Sequence, residues 1–379
     1  MASLASEEDT SGLAVDTSPT AASAPAGEGA AAEGPTPTVE ATAPTAAASA
    51  SVSAPAADSA SERLRALGYA YTDDGKLQEV ETQAPFAWKG QEHYDALAEA
   101  VLAYVEEALV TKGGLERAWL VPDCAIYHSS DLATNQDKLL VLIQGTGRVR
   151  VGVWGCALCI NDSLEHGSML EYIQKARAAG FSVVVFNPNC NFIMGEGSGD
   201  GSEGEGAATG TGTGTDEVEE SPSKKPRLSA RREIEGSASK EEHCRNAWDK
   251  FVQGFSPAQQ LCVVGHSYGG RCTVDLLLSA PSFRERVKAV AFTDSVHDVD
   301  DCGPKELSYL REKSVNWVTS DKPLGEVLQE PEDADVCGCL TVSAGTKDHA
   351  STNFCAVDEI FRLFAERLQQ SDDQDQDQT

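Results

Sequence analysis

The segment Leu261-Cys262-Val263-Val264 followed by Gly265-His266-Ser267-Tyr268-Gly269-Gly270 constrains this chain more than any other. An apolar run, a serine flanked by glycines, and then helix-forming residues to Ala280 make the strand–turn–helix context in which G-x-S-x-G forms a nucleophile elbow. Its glycines let strand and helix approach closely, and the turn lifts the Ser267 hydroxyl above the sheet edge. The N-terminus of the following helix favours developing negative charge. An elbow of this kind needs a buried strand with helices on both sides.

The remaining sequence supplies those layers. Lys138 to Ile143, Phe181 to Phe186, Leu261 to Val264 and Val287 to Phe292 are continuous apolar runs, as expected of strands covered on both faces. Ala118 to Val121, Ala125 to Tyr127, Asn316 to Thr319 and Leu340 to Ser343 read as further strands. Helical periodicity marks Gln91 to Val110, Met169 to Ala179, Glu241 to Gly254, Gly270 to Ala280, Lys305 to Lys313 and Phe354 to Leu368. The alternation predicts an α/β-hydrolase-like fold, a mostly parallel central sheet covered by helices.

A serine nucleophile needs a base, and the base an orienting acid, in the chain order Ser, acid, His for this fold. His297 and His349 are the histidines after Ser267, and His349 lies between the last strand and the last helix, where the base belongs. The acid is Asp294, at the end of the Val287 strand, or Asp321, after the Asn316 strand. Asp348 ranks third, because it adjoins His349 in sequence. The oxyanion hole requires two backbone N–H donors. Tyr268 offers one, and the loop Gln144-Gly145-Thr146-Gly147 offers the other through Gly145 or Thr146. Many hydrolases carry His-Gly at that loop, and this chain has Gln144. His266 and His297 are candidates to line the pocket.

Composition bounds the domain. Residues 1–60 form an Ala-rich arm of net charge −8, residues 195–240 a Gly-rich insert of −4, and residues 371–379 an acidic tail of −4. Such segments bury too little apolar surface to offset the entropy of ordering, so all three are predicted to be disordered. One domain spanning 61–370 and interrupted by the insert remains, and it holds −14 of the net −30. An acidic surface is poorly suited to a phosphate backbone, so direct nucleic-acid binding is not expected. No apolar run approaches 18 residues, so no membrane span or membrane partner is expected. Eleven cysteines without a secretory signal imply free thiols in a reducing compartment.

Two weaker patterns have bland alternatives. Cys156-x-x-Cys159 with Cys337-x-Cys339 could supply four thiolates to zinc, but the spacings are loose and buried free thiols fit better. No metal and no cofactor are therefore expected. Lys224, Lys225, Arg227, Arg231 and Arg232 form a basic run in the insert that reads as a nuclear-import sequence for an import receptor. The alternative is mere charge balancing.

Several blocks together resemble the argonaute-binding-protein-two domain family and the related cotranscriptional regulators. They include LLVLIQGTGRVRVGVW (139–154), CINDSLEHGSMLEYIQKA (159–176), GFSVVVFNPNCNF (180–192), EEHCRNAWDKF (241–251), VVGHSYGG (263–270), VKAVAFTDSVHDV (287–299), NWVTSDKPL (316–324) and VSAGTKDH (342–349). The resemblance implies an α/β-hydrolase-like domain in nuclear RNA-linked gene regulation. Its partners would be argonaute, chromatin or splicing proteins, and its setting small-RNA-directed heterochromatin formation or splicing control. Localisation is expected in the nucleus, with the cytoplasm left open. The motif positions that match are Ser267, Asp294, His297 and His349. Gln144 and the long insert depart from the family pattern.

Overall fold

The computed structural model describes residues 59–194, 231–330 and 337–376. The arm except its last two residues, residues 195–230 of the insert and residues 377–379 lie outside the described residues, as do Lys224, Lys225 and Arg227.

The chain enters through α1 (Ala60–Ala66), capped by Ser59 and Glu62, which exchange side-chain and backbone hydrogen bonds. A short hairpin follows, β1 (Tyr69–Tyr71) and β2 (Leu77–Glu79), and then α2 (Gln91–Thr111). Strands β3 (Leu115–Val121), β4 (Cys124–Ser129) and β5 (Lys138–Ile143) lead to α3 (Cys156–Asn161), α4 (Leu164–Gly167) and α5 (Leu170–Ala178). Beyond β6 (Phe181–Val185), the ribbon β7 (Phe192–Met194) and β8 (Arg231–Glu233) flanks the undescribed insert residues. Next come α6 (Lys240–Ala247), a π-helical turn Trp248–Gln253, β9 (Gln260–His266), α7 (Tyr268–Ser279) and α8 (Pro281–Arg286). The last elements are β10 (Val287–Thr293), α9 (Pro304–Lys313), β11 (Ser314–Val318), β12 (Val327–Gln329), β13 (Leu340–Ser343) and α10 (Thr352–Gln376).

Nine strands form one sheet in the order β12-β13-β11-β10-β9-β5-β6-β4-β3. The six from β13 to β6 are parallel, and antiparallel neighbours close both edges. Alternate residues of each strand point to opposite faces. In β5, Leu140 and Leu142 join the core under α2, α5 and α10, while Leu139, Val141 and Ile143 join the core under α6, α7 and α8. This is the mostly parallel, helix-covered sheet that the apolar runs predicted. All parallel strands end on one edge, where β5, β9, β10 and β13 deliver their following loops.

Two boundaries of the segments expected to be disordered need correction. Residues 231–240 of the insert are structured: β8 pairs with β7, Ile234 and Ser237 are buried, and Ser239 caps α6 through Glu242. Arg231 and Arg232, assigned to a flexible import sequence, therefore lie in a strand. Likewise α10 runs on through Gln376, taking in residues 371–376 of the tail as a continuation of turns anchored by buried Ile360 and Phe364. Among the described residues, no helix is long and apolar enough to cross a membrane.

Candidate active site

The elbow forms where β9 meets α7. Ser267 takes φ 52° and ψ −119°, a left-handed strained conformation for a residue with a side chain. Its N–H donates to the Thr293 carbonyl at 3.0 Å and its carbonyl accepts from Gly270 at 3.1 Å. Gly269 is required by packing. A Cβ there would collide with the carbonyl oxygen of Ile143, because the start of α7 lies directly on the end of β5. Gly145 is close to Ser267, since a Cβ on it would stand 2.9 Å from Ser267 Cβ and 3.3 Å from Oγ.

Asp294 occupies the equivalent strand-end turn after β10, also with a positive φ, 43°. Its Oδ2 faces His349 Nδ1 at 2.6 Å, and its Oδ1 accepts the Thr319 N–H at 3.1 Å. Burial opposes the charge on Asp294, but the hydrogen bonds from His349 and Thr319 and the two neighbouring histidines outweigh it, so its carboxyl lies below the ordinary range. A carboxylate facing Nδ1 fixes the ring with its proton there, which leaves Nε2 free to take a proton. Asp321 is placed elsewhere: it is exposed and faces Lys347 at 3.9 Å. Asp348 spends its carboxylate on the Ser351 N–H at 2.8 Å. Of the three acids considered from sequence, the structure thus brings Asp294 to His349. No Ser267–His349 hydrogen bond is formed among the described residues, and catalytic contacts of this kind commonly tighten only with substrate bound.

On the oxyanion side, Tyr268 is the first residue of α7, so its N–H has no acceptor within the helix. The opposing loop is held by a residue that the sequence reading missed. Asn189 donates from Nδ2 to the Gly145 carbonyl at 2.8 Å and the Val149 carbonyl at 3.1 Å. Holding the Gly145 oxygen fixes that planar peptide and aims the Thr146 N–H the opposite way. The signal was in plain view in FNPN, whose second Asn follows a buried strand as a loop-side amide. Gln144 is buried, and neither atom of its carboxamide has a partner.

The two histidines weighed for the pocket are both buried. His266 is buried beneath His349, with ring centroids 4.7 Å apart. Its Nδ1 donates to the Thr293 carbonyl at 2.9 Å, and burial with the adjacent His349 pushes its pKa down to about 3. It is a neutral ring that packs against His349. His297 stacks on Phe292 at 4.2 Å and engages Ser295 Oγ at 2.6 Å and the Cys337 carbonyl at 3.0 Å. With both nitrogens used and 3 % of its surface exposed, it fastens two loops. The four cysteines weighed for zinc are free thiols, and no three metal-ligating side chains cluster among the described residues.

Buried neutral histidines make stability depend on pH. His243 on α6 is, like His266, pushed down to about 3 by burial. The folded pKa lies below the unfolded value of about 6.5. The unfolded state therefore takes up more protons, and stability present above pH ~6.5 is lost as pH falls toward 3. Thermal melts should show this decline, with His243→Gln flattening it by up to about 1.4 kcal/mol per pH unit, the effect of one proton. An unchanged slope in the variant contradicts the assignment.

The Arb2 domain family model matches residues 60–324. The chain is 34% identical over 343 residues to a cotranscriptional regulator ARB2A homolog of Xenopus tropicalis, covering 81% of this chain and 80% of that one. It is 32% identical over 340 residues to the cotranscriptional regulator ARB2A of Homo sapiens, covering 80% of each. Among solved structures it is similar to the histone deacetylase Clr3, at TM-score 0.43 and 15% identity over 75% of this chain and 42% of that one. It is also similar to an esterase/lipase from an uncultured bacterium, at TM-score 0.36 and 11% identity over 76% and 95%. A family model spanning most of the chain and relatives matched over four fifths of their length leave one conclusion: the chain belongs to the Arb2 domain family.

Proposed function

We propose that this protein regulates gene expression co-transcriptionally, in the nucleus, through protein partners. The observation that carries this reading is its match, over four fifths of both chains, to proteins named cotranscriptional regulators. The acidic surface supports it, because a domain of net charge −14 favours protein contacts over a phosphate backbone. Argonaute, chromatin and splicing proteins are the partners in this reading, and small-RNA-directed heterochromatin formation or splicing control is the process. The basic residues Lys224, Lys225 and Arg227 would meet an import receptor. Affinity capture of the full chain from nuclear extract should enrich argonaute, chromatin or splicing proteins over a matched acidic control. Recovery of none of the three classes removes the reading.

A second activity is favoured by the 2.6 Å contact between Asp294 and His349 beside the strained Ser267. In this reading the domain is a serine hydrolase acting on an ester or acyl group. Ser267 Oγ attacks the carbonyl carbon as His349 Nε2 takes its proton. Asp294 holds the ring and stabilises the imidazolium, and the N–H groups of Tyr268 and of the Gly145–Thr146 loop stabilise the oxyanion. A site can persist on a docking body, so the two activities are compatible. A fluorophosphonate probe should label the wild-type chain at Ser267. Equal labelling of Ser267→Ala removes this second reading and leaves the first intact.

A further inference from the structure

Two cysteines 66 positions apart meet beside the loop that carries Asn189. Cys124 opens β4 and is buried, whereas Cys190 is half-buried in the loop after β6. Cys190 Sγ donates to the carbonyl of Asp123, the residue just before Cys124, at 3.4 Å. Ser237 bridges the pair: its Oγ lies 3.8 Å from Cys124 Sγ and donates to the Cys190 carbonyl at 2.7 Å. His243 completes the cluster. Its Nε2 accepts the Asn187 N–H at 2.9 Å, so the ring proton is on Nδ1, which faces Ser237 Oγ at 3.0 Å and Cys124 Sγ at 3.5 Å. The nearness of the two thiols lowers the pKa of Cys190 and raises that of Cys124. The more accessible sulfur is therefore the readier thiolate, and the buried one keeps its proton. A cleft of about 450 Å³ runs past Asp123, Ile234 and Gly236 on the same side.

We propose that Cys124 and Cys190 are a reversible oxidation site, closing to a disulfide in response to hydrogen peroxide and tethering loop 187–191 to β4. The Cys190 thiolate attacks one peroxide oxygen. An S–O bond forms, the O–O bond breaks, and the departing hydroxide takes a proton from solvent to become water. Cys124 sulfur then attacks the sulfenic sulfur of Cys190. The S–S bond forms, the S–O bond breaks, and the second hydroxide leaves as water with the Cys124 proton. Two electrons pass from the thiols to peroxide, and a reducing thiol such as glutathione reverses the exchange. Ser237 and His243 keep the buried sulfur in reach. The tether acts first on Asn189, next in the chain, and so on the Gly145 and Val149 carbonyls that it holds.

The test uses the full chain, treated with hydrogen peroxide, alkylated without reduction, digested and analysed by mass spectrometry. A peptide containing Cys124 should be linked to one containing Cys190, and the link should disappear on reduction. Cys190→Ser, at the more exposed sulfur, should abolish it without loss of folding, which avoids relying on the buried Cys124. Hydrogen exchange at residues 145–149 should change on oxidation of the wild type and not of Cys190→Ser. Cys190 recovered as a free thiol, as sulfinic acid alone or linked to another cysteine overturns the proposal, whether or not Ser267 is active.

Discussion

Asp294→Asn should slow fluorophosphonate labelling of Ser267 by roughly 10³- to 10⁴-fold, the loss expected when the orienting acid of a triad is made neutral. The argument is one of tautomers. The Asp294 carboxylate can only accept, so His349 must present a proton at Nδ1 and a lone pair at Nε2. An Asn side chain can donate instead and stabilises the opposite tautomer, in which Nε2 can no longer take the serine proton. The substitution keeps shape, and the Thr319 N–H still has an oxygen to bond at Oδ1. Asp321→Asn is the internal control. Its carboxylate is exposed and 3.9 Å from a lysine, so its loss should change labelling by no more than about twofold. Equal losses in both variants, or none in either, would mean that Ser267 is not activated through His349 and Asp294.

Trp248→Ala should cost about 3–5 kcal/mol of stability, the range for deleting a fully buried large aromatic. Trp248 is entirely buried at the start of the π-helical turn, its ring is 5.1 Å from that of Phe283, and its Nε1 donates to Ser282 Oγ at 3.0 Å. Truncation opens a cavity between α6, α8 and the sheet and removes the indole's hydrogen bond. Against a total stability of about 5–15 kcal/mol, the variant stands at the margin of folding. Trp88→Ala removes an indole that is 60% exposed and should stay within about 0.5 kcal/mol of wild type. Chemical denaturation midpoints read both, and a Trp248→Ala midpoint close to that of Trp88→Ala would refute the packing argument.

The parts of this fold that could be read from sequence are those fixed by local rules. Lys138–Ile143 is a strand with the predicted limits, because a parallel strand buried on both faces writes a continuous apolar run that stops at a loop, and Leu340–Ser343 also keeps its predicted limits. The elbow was legible because its motif lies in one short strand–turn–helix stretch, although Gly269 answers a close contact with Ile143 of the neighbouring strand β5. Partners distant in sequence were not legible. Asp294 and Asp321 both follow strands, and the choice between them depends on the turn after β10, where Asp294 accepts the Thr319 N–H and faces His349. Asn189 acts on a loop some 40 residues earlier, a relation that no periodicity records. The π-helical turn was read as plain helix, because side-chain spacing cannot distinguish the Gly254 to Asp249 hydrogen bond from an ordinary one. The hairpin β1–β2 escaped because three-residue strands carry too little pattern.

The two left-handed residues at the strand ends bear on how such a domain would change over evolutionary time. Ser267 and Asp294 each keep a side chain at a backbone conformation that glycine adopts without penalty, and strain of this kind costs about 1–3 kcal/mol per residue. A lineage that used the domain only as a docking body would be free to drift to glycine at both positions and would fold more tightly for it. The chain has a hydroxyl at one and a carboxylate at the other, and these are the features that selection for docking alone would erode first.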